Sequence, residues 1–238
     1  MIEIKNLTVR FEGNVILDNV SCSIKKGKIT SIIGKSGIGK SVLMKSVLGL
    51  IKNMEGEIYI DNISNMTRDK KELKLVKSKT AMLFQNSALF DSYDVFQNIA
   101  FPLVEHTKLP FSEIQQRVKQ MIALVNLPDI MDLYPADLSG GMRKRVALAR
   151  AIIQEPEYLI YDEPTTGLDP ITASDIINLI ESIHKKLNMT SIIITHDKDC
   201  IKQLTERMIL IDKKKVIFDD DFERFKDFEN DTARAFLG

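Results

Sequence analysis

Tryptophan is absent from the chain, and cysteine occurs only at Cys22 and Cys200. Cysteines this far apart, with no CxxC, exclude the usual thiolate frame of structural zinc and point to a reducing compartment. A net charge is also missing, since Lys and Arg number 33 and Asp and Glu 33. A dedicated nucleic-acid binder shows a basic excess, so no nucleic-acid partner is expected, though a local basic patch stays open. Long apolar runs are lacking too. Ile32-Ile33, Val47 to Ile51 around Gly49, and Ile192 to Ile194 fall far short of the roughly 20 residues that span a bilayer. The opening MIEIKNLTV alternates and carries charge, so no signal peptide is expected there. A cytosolic protein that can sit against a membrane through a partner is the expectation. A chain of 238 residues buries about 70–75% of its unfolded surface, enough to dispense with disulfide or metal staples.

What is present is an alternation of strand and helix. Ile2, Ile4 and Leu7 alternate with polar neighbours, and Val15 to Ile24 forms a second extended stretch after the Glu12-Gly13-Asn14 turn. Ile29 to Ile33 has the β-branched character of a buried strand. Val42, Leu43, Val47 and Leu50 then recur at helical spacing. Gly56 to Ile60 and Thr80 to Phe84 read as strands, with a basic, exposed helix in Thr67 to Lys79. From Asn86 to Gln154 the pattern is helical, with Ser112 and Gln115 spaced as a capping box. Beyond it, Tyr158 to Tyr161, Thr190 to Ile194, Met208 to Ile211 and Val216 to Phe218 read as strands. Helices from Ile171 to Leu187 and from Asp197 lie between them, and the lysines at 213–215 form a turn. Such alternation implies a parallel α/β sheet with helical covers, the helical middle being an insertion.

Between the Ile29 strand and its helix stands Gly34-Lys35-Ser36-Gly37-Ile38-Gly39-Lys40-Ser41, which fits G-x-x-x-x-G-K-[ST]. Its glycines let the backbone turn tightly and aim N–H groups at phosphate oxygens, and the helix adds its positive end. Lys40 is expected to reach the β- and γ-phosphates and the Ser41 hydroxyl to ligate Mg²⁺. Tyr158-Leu159-Ile160-Tyr161-Asp162-Glu163 is an apolar strand ending in paired acids. Asp162 is placed to hold the metal, and Glu163 to polarise water as a general base.

Leu138-Ser139-Gly140-Gly141-Met142 opens a helix and makes a further anion-binding terminus. One nucleotide does not need both from one subunit, but a head-to-tail pair of subunits does, each offering this terminus to the other's γ-phosphate. With the glycine loop, Asp162-Glu163 and His196, the chain resembles the nucleotide-binding subunit of ABC transporters over nearly its whole length. The resemblance implies an ATPase with an α/β, RecA-like P-loop core, an N-terminal antiparallel β subdomain and an inserted helical subdomain. It would be one domain over 1–238: a core of 1–85 and 155–220, helices in 86–154, and a tail in 221–238.

The resemblance also assigns roles. Phe11 matches the aromatic that stacks on adenine, where the family commonly has Tyr; a plain edge-strand aromatic is the alternative. Gln85 matches the glutamine that senses Mg²⁺ and lytic water while linking to the membrane partner. Asp169 in Gly167-Leu168-Asp169 matches a residue crossing the dimer seam, unless it merely caps the next helix, and His196 matches the histidine at the γ-phosphate. Met142 replaces the commoner Gln without touching the backbone amides or the Ser139 hydroxyl. LSGGM with Arg143-Lys144-Arg145, the stretch FDSYDVFQNIAFPL at Phe90 to Leu103, and GLDPIT resemble the ATPases of Mce-associated, Mla-type lipid transporters. The resemblance implies a homodimer on the cytoplasmic face of the plasma membrane, with Asp91 to Phe96 as the surface that receives the permease subunits, unless those residues merely pack the helical insertion. An Mce-type lipid-binding protein and a small regulatory subunit are implied partners. The triplet could instead be a solvated helix face, since Met142, Val146, Ala149 and Ile153 keep an apolar stripe. A soluble ABC-type ATPase and a nucleotide-binding regulator without turnover stand as rivals. The phenylalanines at 222, 225, 228 and 236 suggest a tail docked on its own domain, and His106 and His184 show no ligand spacing.

Overall fold

β1 (Ile2–Phe11) and β2 (Asn14–Ile24) pair antiparallel about a turn whose φ is +49° at Glu12 and +81° at Gly13. The chain runs on through β3 (Ile29–Ile33) into helix α1 (Lys40–Val47). It returns as β4 (Met54–Ile60) and β5 (Ile63–Ser64), completing a four-stranded antiparallel sheet of order β2-β1-β4-β5. Helix α2 (Lys70–Lys79) is capped by Asp69, which accepts from the N–H groups of Lys71 and Glu72, and leads into β6 (Thr80–Leu83). Then come α3 (Val95–His106), α4 (Phe111–Leu124) and α5 (Gly140–Ile152). The remainder alternates: β7 (Tyr158–Asp162), α6 (Pro170–Leu187), β8 (Thr190–Ile194), α7 (Lys198–Leu204), β9 (Arg207–Asp212) and β10 (Lys215–Asp221). Two short helices close it, α8 (Phe222–Lys226) and α9 (Asp231–Leu237). This is a computed structural model describing residues 1–237, so Gly238 of the expected tail lies outside the described residues.

β3, β7 and β8 are buried along their whole length, which is why their sequences do not alternate: they lie inside a sheet covered on both faces. That six-stranded sheet has the order β10-β9-β3-β8-β7-β6 and is parallel except where β10 meets β9. Parallel register brings the carboxyl ends of β3, β6, β7 and β8 to one edge, where open α/β sheets bind ligands. Ile32 pairs with Ile194, Asp162 with Ile194, and Leu83 with Tyr161. The loops carrying Gly34, Gln85, Glu163 and His196 therefore leave the sheet side by side.

α1 buries Leu43, Met44 and Val47 in one core with β1, β2 and β4, each fully buried side chain stabilising the fold by roughly 1.5–3 kcal/mol. The helical pattern overshoots here, because α1 ends at Val47 and Leu50 is 59% exposed. In the helical insertion, Ile114, Val118 and Ile122 of α4 pack with Val95 and Ile99 of α3 and Val146 and Ala149 of α5. The expected Ser112 cap is corrected. Pro110, at φ −65° and ψ 150°, starts α4 earlier and leaves Ser112 inside the first turn, with no side-chain cap. A capping box does form at the start of α3, between Asp94 and Gln97. The tail folds back on its own chain: Phe222, Phe225 and Ala233 pack with Ile33, Ile201, Met208 and Leu210. Both cysteines are buried and free, burial pushing each thiol up to about 12.

Candidate functional site

Between β3 and α1 the backbone takes φ of +151° at Gly34, +74° at Gly37 and +111° at Gly39, a region that favours glycine. Close packing reinforces this at Gly34, where a Cβ would stand 2.4 Å from the Ile211 carbonyl oxygen. Gly39 is the N-cap of α1 and brings no side-chain cap, so the first helical N–H groups are left for an anion. Lys40 folds over the loop, its Nζ donating to the carbonyls of Gly34 at 2.8 Å and Lys35 at 3.1 Å. Burial lowers its pKa against the opposing pull of Glu163 and Asp162. A phosphate oxygen is the stronger acceptor and can take the place of those carbonyls.

At the end of β7, Ser41 Oγ donates to Asp162 Oδ1 at 2.9 Å. Burial raises the Asp162 carboxyl pKa, and the Ser41 hydrogen bond offsets part of the rise. A hydroxyl beside a buried carboxylate is the hard-oxygen donor pair that Mg²⁺ takes together with phosphate and water, so these residues fit the metal. Glu163, next along, has φ +48°, and its N–H donates to the Ile194 carbonyl at 2.8 Å. Its Oε2 lies 2.8 Å from His196 Nδ1 and accepts from Thr166 Oγ1 at 3.2 Å.

These groups surround a cavity of about 610 Å³ lined by Gly34, Lys35, Ser36, Gly37, Gly39, Lys40, Ser41, Val42, Gln85, Glu163 and His196, with Phe236 from α9. The glycine loop, Gln85, Glu163 and His196 thus converge, and Asp162 reaches them through Ser41. Two residues went unrecognised in the sequence as parts of this neighbourhood. Phe236 gave no signal beyond an aromatic spacing. Lys144 read as a charge pointing away from the apolar stripe, yet it is 5% exposed, with its Nζ donating to the Gln85 carbonyl.

Other expected site residues stand apart. Ser139 is the N-cap of α5, its Oγ accepting from the Met142 N–H at 3.2 Å. Neither Ser139, Gly140 nor Gly141 lines the cavity of its own chain. Both glycines allow close packing on the segment before and into α6: a Cβ on Gly141 would stand 2.6 Å from Thr172 Cγ2, and one on Gly140 3.3 Å from Leu168 Cδ2. Asp169 caps α6, accepting from the N–H groups of Ile171 and Thr172 and from Thr172 Oγ1. Phe11 is 44% exposed at the end of β1, outside the cavity lining.

Residues 17–166 match the family described as ABC transporter. The chain is 42% identical over 217 residues to the intermembrane phospholipid transport system ATP-binding protein MlaF of Haemophilus influenzae, covering 91% of this chain and 82% of that protein. It is also 42% identical over 220 residues to the methionine import ATP-binding protein MetN of Carboxydothermus hydrogenoformans, covering 91% of this chain but 65% of that protein's length. Among solved structures, it superposes with a TM-score of 0.83 and 30% identity on the ATP-binding cassette MJ0796, a dimer in a post-hydrolysis state bound to ADP and Pi. That match covers 93% of this chain and 98% of the other. CbiO1 of Clostridium perfringens, part of an ABC transporter complex, gives a TM-score of 0.82 at 30% identity, covering 99% and 97%. Sequence and fold agree, and this chain belongs to the ABC transporter family as an ATP-binding cassette that hydrolyses ATP.

Proposed function

We propose that two copies of this chain close head to tail over two ATP molecules, and that the closure drives a membrane permease moving phospholipid or another hydrophobic substrate. One observation carries the reading. The Ser139-Gly140-Gly141 terminus of α5 presents N–H groups, yet it lies outside the phosphate cavity of its own chain. A sister molecule's γ-phosphate is the anion it suits.

In this reading Lys40 and the loop amides of one subunit hold the phosphates, and Ser139, Gly140 and Gly141 of the other complete the cradle. Ser41, Asp162 and Gln85 would hold Mg²⁺, which screens phosphate charge and orients the leaving group. Glu163 takes the proton from the attacking water. His196, anchored on Glu163, fixes the γ-phosphate end. Phe11 is placed for the adenine and Asp169 for the subunit seam. The core of 1–85 and 155–220 carries the loops, and the insertion of 86–154 moves with the partner's nucleotide.

The permease would dock at the Asp91 to Phe96 surface, next to a groove of about 420 Å³ between core and insertion whose lining includes Phe84, Phe90, Phe101 and Arg150. No helix among the described residues is long and apolar enough to cross a membrane, which suits a peripheral subunit on the cytoplasmic face. Identity does not separate the phospholipid relative from the methionine importer, at 42% each. LSGGM followed by Arg143-Lys144-Arg145, with the Phe90 to Leu103 stretch, favours the lipid system, with its Mce-type and small regulatory partners. Isolating the native assembly from detergent-solubilised membranes tests this. Co-purifying phospholipid and an Mce-type protein is the expected result; a methionine-binding protein would overturn the lipid assignment.

A further inference from the structure

Lys144 lies on α5, on the same helix as the Ser139 terminus, and is buried. Its Nζ donates to the main-chain carbonyl of Gln85 and, at 3.4 Å, to that of Glu163. Arg150 of the same helix donates from Nη2 to the Ser87 carbonyl at 2.9 Å. Helix α5 therefore grips the segment 85–87 at both ends and touches the main chain beside the general base. Glu163 needs such support. Its φ of +48° is unfavourable for a residue with a Cβ and persists only where neighbours hold it. The other holders are Ile194, whose carbonyl accepts from Glu163 N–H at 2.8 Å, and Thr166, whose N–H donates to the Glu163 carbonyl at 3.3 Å.

We infer that Lys144 is a positioning residue, tying the helix that carries Ser139 to the main chains of Gln85 and Glu163 in the same subunit. The inference rests on the roles given above to Glu163 and Ser139. An ammonium suits the task because it is compact and brings several donors, enough for two carbonyls of separate loops. Burial lowers its pKa while Asp162 and Glu163 pull the other way, so the nearby acids help keep the charge in place. Movement of α5 toward a partner's nucleotide is then passed to Gln85 and Glu163 of its own chain.

Lys144→Met keeps an unbranched apolar stem but removes the ammonium, taking the lysine donor from the Gln85 carbonyl and leaving the Glu163 carbonyl with the Thr166 N–H alone. Steady-state phosphate release by the full chain with Mg-ATP should show kcat reduced about tenfold or more, with KM changed by less than about threefold. Lys144→Arg, which keeps charge and donors, should recover most of kcat. Unchanged kcat in Lys144→Met, a raised KM with kcat intact, or equal losses in Met and Arg variants that track their melting temperatures would each overturn the inference. Should Lys144→Met melt below the assay temperature, Lys144→Leu in the chain at a lower assay temperature carries the same expectation of lost kcat at constant KM, and the same overturning results. Glu163→Gln run alongside separates the two levels. Wild-type turnover there removes the general base and this inference together. An inactive Glu163→Gln beside a fully active Lys144→Met removes this inference alone.

Discussion

Glu163 Oε2 and His196 Nδ1 meet at 2.8 Å, joining the loop that leaves β7 to the loop that leaves β8. The histidine side chain is 66% exposed and the glutamate 14%, so the exposed ring can follow a phosphate while the carboxylate stays fixed. Oε2 is engaged by His196 and Thr166, and under the proposed mechanism Oε1 is the oxygen that would receive a water proton. Glu163→Gln keeps the shape and removes the base. Turnover should fall by roughly 10²–10⁴ while ATP is retained and dimers accumulate, checked by phosphate release and size-exclusion chromatography with Mg-ATP. Turnover near that of the wild type would remove the base assignment.

The position of Ser139 outside its own chain's cavity gives a complementation test. Ser139→Arg should bind nucleotide but not hydrolyse it, and Lys40→Ala should lose nucleotide affinity while its Ser139 terminus stays intact. Mixed together, the two inactive proteins form heterodimers in which one composite site is whole. Phosphate release should reappear on mixing. A mixture as inactive as its components would show that Ser139 serves no neighbour.

Gly141 carries no unusual φ, so its requirement is one of space: an added Cβ meets Thr172 Cγ2 at 2.6 Å. Gly141→Ala should force α5 and α6 apart, costing about 1–3 kcal/mol as overpacking does and lowering turnover. Thr172→Ser deletes the obstructing methyl and keeps the hydroxyl that donates to Asp169. The double variant should recover the melting temperature of the wild type and most of its turnover; a double variant no better than Gly141→Ala would place the constraint elsewhere.

The parts legible in the sequence are those in which chemistry or burial dictates residue type over a short stretch. β-branched runs marked β3 and β8, and the glycine loop announced a phosphate cradle because few other residues allow its backbone. Asp162, Glu163 and His196 could be singled out because they stand at the ends of buried strands, Asp162 closing β7, Glu163 next after it, and His196 two residues beyond β8. Lys144 was not, because its surroundings come from Gln85 and Glu163, which are 59 and 19 residues away, and no local spacing distinguishes it from its neighbours Arg143 and Arg145. The same distance effect hid Phe236, which reaches the cavity only after α8 and α9 fold back on β9. Ser112 misled for a local reason, the fixed φ of Pro110 starting the helix before it.

Asp61, at the turn between β4 and β5, links the two sheets. Its Oδ1 accepts from Tyr158 Oη, on β7, at 2.6 Å, and its Oδ2 from Lys79 Nζ, at the end of α2, at 2.5 Å. The ammonium of Met1 donates to Oδ1 as well, at 2.6 Å. Burial by itself would raise the carboxyl pKa, but the hydrogen bonds from Lys79, the Met1 ammonium and Tyr158 outweigh it and hold the group well below the usual carboxylate range. A carboxylate depressed in the folded state stabilises above its unfolded pKa of about 4, and that contribution drains away as the pH falls through the folded value. Asp61→Asn should therefore cost about 2 kcal/mol near neutral pH, with the gap between variant and wild type closing as urea melts are repeated from about pH 5 down toward pH 2. A gap that stays constant across that range would mean the cost arises from shape or packing at the turn and not from the charge.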